Sequence, residues 1–246
     1  MPTFKLTIAY DGTRFVGWQR QATGTSVQGL LEDALAELDG RKVTVTGAGR
    51  TDAGVHALGQ VAAATIERAI DAVSVVRAIN TRLPPEIRVL DAVEVPASFR
   101  TRFDAKAKTY RYRIWNAEVV SPFERAHVWH VPAPSLDVGA MAAAAVLIEG
   151  RHDFAAFQAT GGDAATTTRV VFSSRVNGDG SLITYEIRGD GFLRHMVRNI
   201  VGTLVEVGRG SRSAAWVTEV LAGRSRAHAG RTAPPEGLFL VGVEYE

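Results

Sequence analysis

The pattern of apolar and polar residues predicts the same order of elements twice along this chain, and that repeat constrains the fold more than any other feature. In the first half, "TFKLTIAYDG" alternates as a half-buried strand does, and "TSVQGLLEDALAEL" has one apolar helical face, with Thr25 and Gln28 as a capping box. Strands at "KVTVT", "LGQVAAATI" and "IRVLDAVEV" follow, with a helix from Asp71 to about Arg82 before the last. The predicted order is β-α-β-β-α-β.

The second half repeats this order. It begins with the strand "KTYRYRIWN", the helix "SLDVGAMAAAAVLIEG" capped by Ser135, and the hairpin "RVVFSSRVNGDGSLITYEIRG" with its turn at 177–180. A helix from Phe192 to Val207, the short helix "SAAWVTEVLAG" and the strand "GLFLVGVEY" complete it. Two such halves predict an α+β fold with two ferredoxin-like halves, each with a mainly antiparallel sheet backed by helices. We place the halves at residues 1–105 and 106–246.

Composition limits the kind of protein. The 246 residues are 46% hydrophobic, enough for a sizeable core. The chain has no cysteine, which excludes disulfides and thiolate metal sites and favours the cytoplasm. The start "MPTFKLTIAYDG" lacks the pattern of a signal peptide, and the most apolar segment, 138–148, is shorter than the ~20 residues that span a membrane. Arginines far outnumber lysines, which suits phosphate recognition but is equally typical of the codon usage of GC-rich genomes, so the bias alone does not decide between them.

A glycine-rich loop follows the third predicted element, at "GAGRTDAGVHALGQVAA". It fails the dinucleotide-binding fingerprint because Asp52 stands where the third glycine belongs, and a carboxylate repels a pyrophosphate. An ordinary tight turn remains one interpretation. The other is a reaction site, in which Gly49 and Gly54 let a planar group approach and Asp52 acts as nucleophile or base, with Arg50 two residues before it.

Basic and aromatic residues alternate in "SFRTRFDAKAKTYRYRIWN". On a strand, Tyr110, Tyr112 and Ile114 face one way, and Arg111 and Arg113 face the other. Cations for phosphates combined with aromatic rings for stacking are typical of RNA binding. An amphipathic strand whose tyrosines belong to the core is the alternative.

A third cluster lies on the predicted helix "GFLRHMVRNIVGTL". Arg194 and Arg198 are four residues apart on one face, beside His195, and Arg194 in the first turn opposes the helix dipole. An anionic partner would offset both costs. The chain contains neither H-x-x-x-H nor H-E-x-x-H, so we predict no metal site.

The blocks "YDGTRFVGWQRQ", "SVQGLLEDAL", "GAGRTDAGVHALGQVA", "KTYRYRI", "HDFAAF", "FLRHMVRNIVG" and "TAPPEGLFL" resemble, in order, the signature blocks of the TruA-type tRNA pseudouridine synthases. The resemblance covers essentially the whole chain. It implies a pseudouridine-synthase-like fold and the isomerisation of uridine to pseudouridine at positions 38, 39 and 40 of the tRNA anticodon stem-loop. It also implies a homodimer that binds tRNA across both subunits, and it implies no cofactor, metal or membrane.

The resemblance assigns roles to five residues. Asp52 attacks the flipped-out uridine or abstracts a sugar proton, and the sequence leaves both first steps open. Tyr110 stacks on the base, an arginine that we assign as Arg198 pairs with Asp52, and Arg50 and Arg194 bind RNA. Two other classes stay open as alternatives: an RNA-binding chaperone with this fold and no catalysis, and a nucleotide-dependent enzyme that uses the glycine loop.

Overall fold

A computed structural model of the protein describes residues 1–161 and 164–246, and the chain forms two compact units. One unit contains Met1–Lys106 and Phe239–Glu246, and the other contains Ala107–Leu238. The last strand belongs to the first unit because its main chain pairs with a strand there. The division into an aspartate-bearing half and a tyrosine-bearing half at residues 105 and 106 stays a prediction.

Strands and helices of the described residues alternate much as the apolar pattern predicts. In chain order they are β1 (Thr3–Tyr10), α1 (Val27–Asp39), β2 (Thr46–Gly47), β3 (His56–Thr65), α2 (Ala72–Asn80), β4 (Ile87–Val95), β5 (Ala107–Trp115), β6 (Trp129–His130), α3 (Val138–Val146), β7 (Gly150–Asp153), β8 (Thr168–Asp179), β9 (Leu182–Gly189), α4 (Met196–Gly208), α5 (Trp216–Gly223) and β10 (Leu238–Glu244). Short 3₁₀ turns lie at 12–14, 155–157, 226–228 and 235–237.

The first unit is built on the strand order β4-β1-β3-β10. Strand β1 pairs antiparallel with β3 and β4, β2 pairs antiparallel with β3, and β10 pairs parallel with β3. Alternate side chains of β1, at Phe4, Leu6 and Ile8, are buried, together with Leu31 and Leu35 on the apolar face of α1. The helices therefore cover one face of this sheet.

The cap of helix α1 is Ser26, one residue later than the predicted cap at Thr25. The hydroxyl of Ser26 accepts a hydrogen bond from the main-chain N–H of Gly29 at 3.2 Å, so Ser26 satisfies a donor that the first helical turn leaves open. The helix ends at Gly40, which has a φ of 74°. The helix is as predicted, and only the capping residue differs.

The second unit is built on the antiparallel order β5-β9-β8-β7, with β6 parallel to β5. Asp179 pairs with Leu182, so the hairpin turns at Gly180 and Ser181, where Gly180 has a φ of 57°. The turn lies later than the predicted 177–180 because strand pairing continues through Asn177. Helix α3, capped by Asp137 instead of Ser135, packs against α4 and β8.

Both units combine helices with a mainly antiparallel sheet, which confirms the predicted α+β class. Among the described residues, every buried side-chain nitrogen or oxygen has a hydrogen-bond partner. Within that same part of the chain, none of the helices has the length and apolar character needed to cross a membrane.

Candidate active site

Residues 48–55 form the loop between β2 and β3, and this loop carries Asp52. Its main chain is held on both sides of the aspartate. The N–H of Trp18 donates to the carbonyl of Thr51 at 3.0 Å, and the N–H of Val55 donates to the carbonyl of Asp52 at 3.1 Å. The half-buried carboxylate of Asp52 therefore extends from a main chain whose path is defined by hydrogen bonds.

Two glycines outside the loop allow it to lie where it does. A Cβ atom at Gly12 would come within 2.0 Å of the Val55 carbonyl oxygen, and one at Gly17 within 2.7 Å of the Thr51 carbonyl oxygen. Gly17 also has a φ of 108°, which side chains disfavour. The segment after β1 thus packs main chain to main chain against the Asp52 loop. Sequence reasoning assigned these two glycines no role, although their spacing within "YDGTRFVGW" was the available signal.

Arg50 is exposed and lies on the same loop as Asp52. Its predicted role in binding RNA stays a prediction. What the structure shows is that a guanidinium at this position has access to solvent, from which a large anionic partner would approach.

The tyrosines of β5 share one face of the strand, as the alternation predicts. The ring of Tyr110 is buried edge-to-face against Phe192, with 5.0 Å between the ring centroids. Tyr112 is fully buried, its hydroxyl donates to the carbonyl of Pro234 at 2.7 Å, and burial raises the pKa of its phenol well above the ordinary value. Tyr112 is therefore a packing residue.

The arginines of β5 face the other way and form ion pairs. Arg111 contacts Glu186 at 2.8 Å, and Arg113 contacts Glu124 at 2.7 Å. These side chains are about a quarter to two-fifths exposed, so the pairs are partly hydrated. The strand is amphipathic, and part of its positive charge is neutralised within the second unit.

The predicted placement of Arg194 in the first turn of a helix is wrong. Helix α4 begins at Met196, directly after His195, which has a φ of 60°. The carbonyl of Arg194 accepts a hydrogen bond from the N–H of Ala159 at 3.0 Å, so its main chain pairs with another segment instead of the helix. Arg194 and Arg198 consequently do not share a helical face, and the cost predicted for that like-charge pair does not arise.

Arg198 lies in the first turn of α4 and binds the segment that precedes β10. Its Nε donates to the carbonyl of Ala233 at 2.7 Å, and the N–H of Ala233 donates back to the Arg198 carbonyl at 3.1 Å.

The next residue of α4, Asn199, is fully buried and joins two other segments. Its Nδ2 donates to the main-chain carbonyl of Phe157 at 2.7 Å, and its Oδ1 accepts a hydrogen bond from the hydroxyl of Thr232 at 2.6 Å. Sequence reasoning missed Asn199, for which the signal is a polar residue within the apolar stripe of a helix.

Comparison with known proteins identifies the family. The sequence profile of a family described as tRNA pseudouridine synthase matches residues 6–104 and 144–246, which is most of the chain. The chain belongs to this family. The resemblance of its sequence blocks is thereby confirmed.

Similar proteins extend the match over the full length. A tRNA pseudouridine synthase A from Myxococcus xanthus is 50% identical over 100% of this chain and 92% of its own length. One from Solibacter usitatus is 47% identical over 100% of both chains. Among solved structures, the crystal structure of a Cbf5-Nop10-Gar1 complex aligns with a TM-score of 0.34 and 12% identity over 82% of this chain and 45% of that chain, too low to bear on the fold.

Proposed function

We propose that the protein isomerises uridine to pseudouridine at positions 38, 39 and 40 of the tRNA anticodon stem-loop. Two curated relatives that align with the whole chain carry the name tRNA pseudouridine synthase A. The observation that carries the proposal is the Asp52 loop, whose main chain is held by hydrogen bonds on both sides of the carboxylate. A reactive group needs such a rigid support, because small displacements of reacting atoms reduce rates steeply.

Asp52 is the proposed catalytic residue. In the reaction the N1–C1′ bond of the uridine breaks, the uracil turns, C5 bonds to C1′, and C5 loses its proton while N1 gains one. Asp52 begins this sequence as a nucleophile or as a base that takes a sugar proton. Tyr110 stacks on the base, and Arg50, Arg194 and Arg198 bind the substrate, with Arg198 as the proposed partner of Asp52.

The target nucleotide has to leave its stack before Asp52 can reach it. Base flipping costs a few kcal/mol, and contacts between arginines and phosphates offset that cost. We further propose that the protein acts as a homodimer that holds each tRNA across both subunits, and that it acts in the cytoplasm.

The direct test is to incubate the protein with an unmodified tRNA transcript and to map pseudouridine at single-nucleotide resolution. We expect conversion at 38, 39 or 40, wherever the transcript has uridine. A transcript with cytidine at all three positions is the control and should stay unmodified. Tight binding without any conversion would contradict the proposal and favour an RNA-binding chaperone.

A further inference from the structure

Three buried polar side chains lie where the Asp52 loop meets β1 and β3. The hydroxyls of Tyr10 on β1 and Thr51 on the loop are 2.8 Å apart, and the two residues are 4% and 6% exposed. Gln60 on β3 is 0% exposed, and its Nε2 donates to the carbonyl of Gly49 at 3.0 Å. Tyr10 and Gln60 thus hold the loop at residues on either side of Arg50, one of them directly before Asp52.

These groups are poorly suited to direct chemistry. Burial raises the pKa of Tyr10 to about 12, and hydrogen bonds from Thr51 and Gln60 only partly oppose that shift. The phenol is therefore neutral near pH 7 and shielded from solvent. An apolar side chain of the same shape would avoid the desolvation of a buried hydroxyl, whereas a fully satisfied polar network defines one geometry more strictly than apolar packing.

We propose that Tyr10 and Gln60 are positioning residues, which fix the Asp52 carboxylate in its reactive geometry by holding Thr51 through its hydroxyl and Gly49 through its main-chain carbonyl. This inference rests on the proposed catalytic role of Asp52. It differs from a purely structural role in its consequence: loss of the network slows the chemical step while the protein still folds and binds tRNA.

Tyr10→Phe tests this because it removes only the hydroxyl. We expect its single-turnover rate of pseudouridine formation to fall about 10- to 100-fold, the scale of loss for a misplaced reacting group, with tRNA affinity unchanged. The matched control is Tyr185→Phe. Tyr185 is also fully buried on a strand, and its hydroxyl is 2.9 Å from that of Ser174. We expect Tyr185→Phe to lose about as much stability as Tyr10→Phe and to form pseudouridine at the rate of the unsubstituted protein.

Variants of the partner make the test independent of one substitution. Thr51→Val removes the hydroxyl at the other end of the same hydrogen bond and should slow the reaction as Tyr10→Phe does. Thr51→Ser keeps a hydroxyl at this position and should retain most of the rate of the unsubstituted protein. The double variant Tyr10→Phe/Thr51→Val should lose hardly more than either single variant, because both remove one interaction.

Asp52→Asn separates failure of this inference from failure of the proposed function. If Asp52→Asn is inactive while Tyr10→Phe and Thr51→Val react at the rate of the unsubstituted protein, the positioning role is overturned and the catalytic assignment stands. A rate loss in Tyr185→Phe equal to that in Tyr10→Phe would also overturn it, since general destabilisation would then be the cause. An active Asp52→Asn would contradict the proposed function itself.

Discussion

The carboxylate of Asp52 differs from an amide of the same shape in charge and in its ability to attack or to accept a proton. We expect Asp52→Asn to fold normally, since asparagine fits the same loop, and to reduce pseudouridine formation to background. The affinity for tRNA should be unchanged or slightly higher, because a negative charge facing the nucleotide is removed. Filter binding and tritium release from C5-labelled tRNA measure the two effects together.

A variant that still turns over would remove Asp52 from the mechanism. One that no longer folds would instead return the loop to the interpretation of an ordinary tight turn. Circular dichroism of the variant distinguishes the two outcomes before any assay with RNA.

The two tyrosines of β5 should respond differently to loss of their hydroxyls. Tyr110→Phe keeps the aromatic ring that stacks on the base and removes only the hydroxyl, for which we propose a part in the reaction, so we expect tRNA binding to persist and activity to be lost. Tyr112→Phe removes the hydrogen bond to Pro234, which costs about 1 kcal/mol of stability, and should leave activity largely intact. Thermal unfolding and the tritium-release assay on both variants check this, and an equal loss of activity would mean that their roles are assigned wrongly.

Among the elements, helix α4 depends on a close main-chain contact. A Cβ atom at Gly202 would lie 1.7 Å from the carbonyl oxygen of Arg231, whereas one at Gly208 in the same helix would meet side-chain atoms, at 2.7 Å from the Met141 sulfur and 3.4 Å from the Leu136 Cβ. We expect Gly202→Ala to lower the free energy of unfolding by about 1–3 kcal/mol. Gly208→Ala should have little effect, because the gain in helix propensity offsets the crowding. Urea denaturation of both variants compares them, and equal values would show that the contact at Gly202 relaxes freely.

At the scale of the whole molecule, the excess of arginine should make tRNA binding strongly dependent on salt. Neutralising exposed Arg102 or Lys106 should reduce the slope of log affinity against log salt by about one unit for each phosphate that the variant no longer neutralises. Arg111 should change it less, since Glu186 already neutralises part of its charge. Filter-binding titrations at several salt concentrations test this. A flat response would contradict RNA binding and favour a small-molecule substrate.

Apolar periodicity by itself determined the longer strands and helices, the α+β class and the two faces of β5, but not the short strands β6 and β7. These features depend on residues close together in the chain, because side-chain direction repeats every two residues in a strand and about every 3.6 in a helix. The end of α1 is equally local, because Gly40 adopts the left-handed conformation that glycine favours. The sequence blocks also identified the family. The roles of Asp52, Tyr110 and the arginines came from that resemblance and stay predictions.

Tertiary structure alone decided features that join distant parts of the chain. Helix α4 starts after Arg194 because the carbonyl of Arg194 accepts a hydrogen bond from the N–H of Ala159, more than thirty residues earlier in the chain. Strand β10 pairs with β3, which lies far from it in the chain. The side-chain-free positions Gly12 and Gly17 are needed because the main chain of the Asp52 loop lies against them. Local pattern does not encode such contacts, because the main-chain groups that form them lie far apart in the sequence.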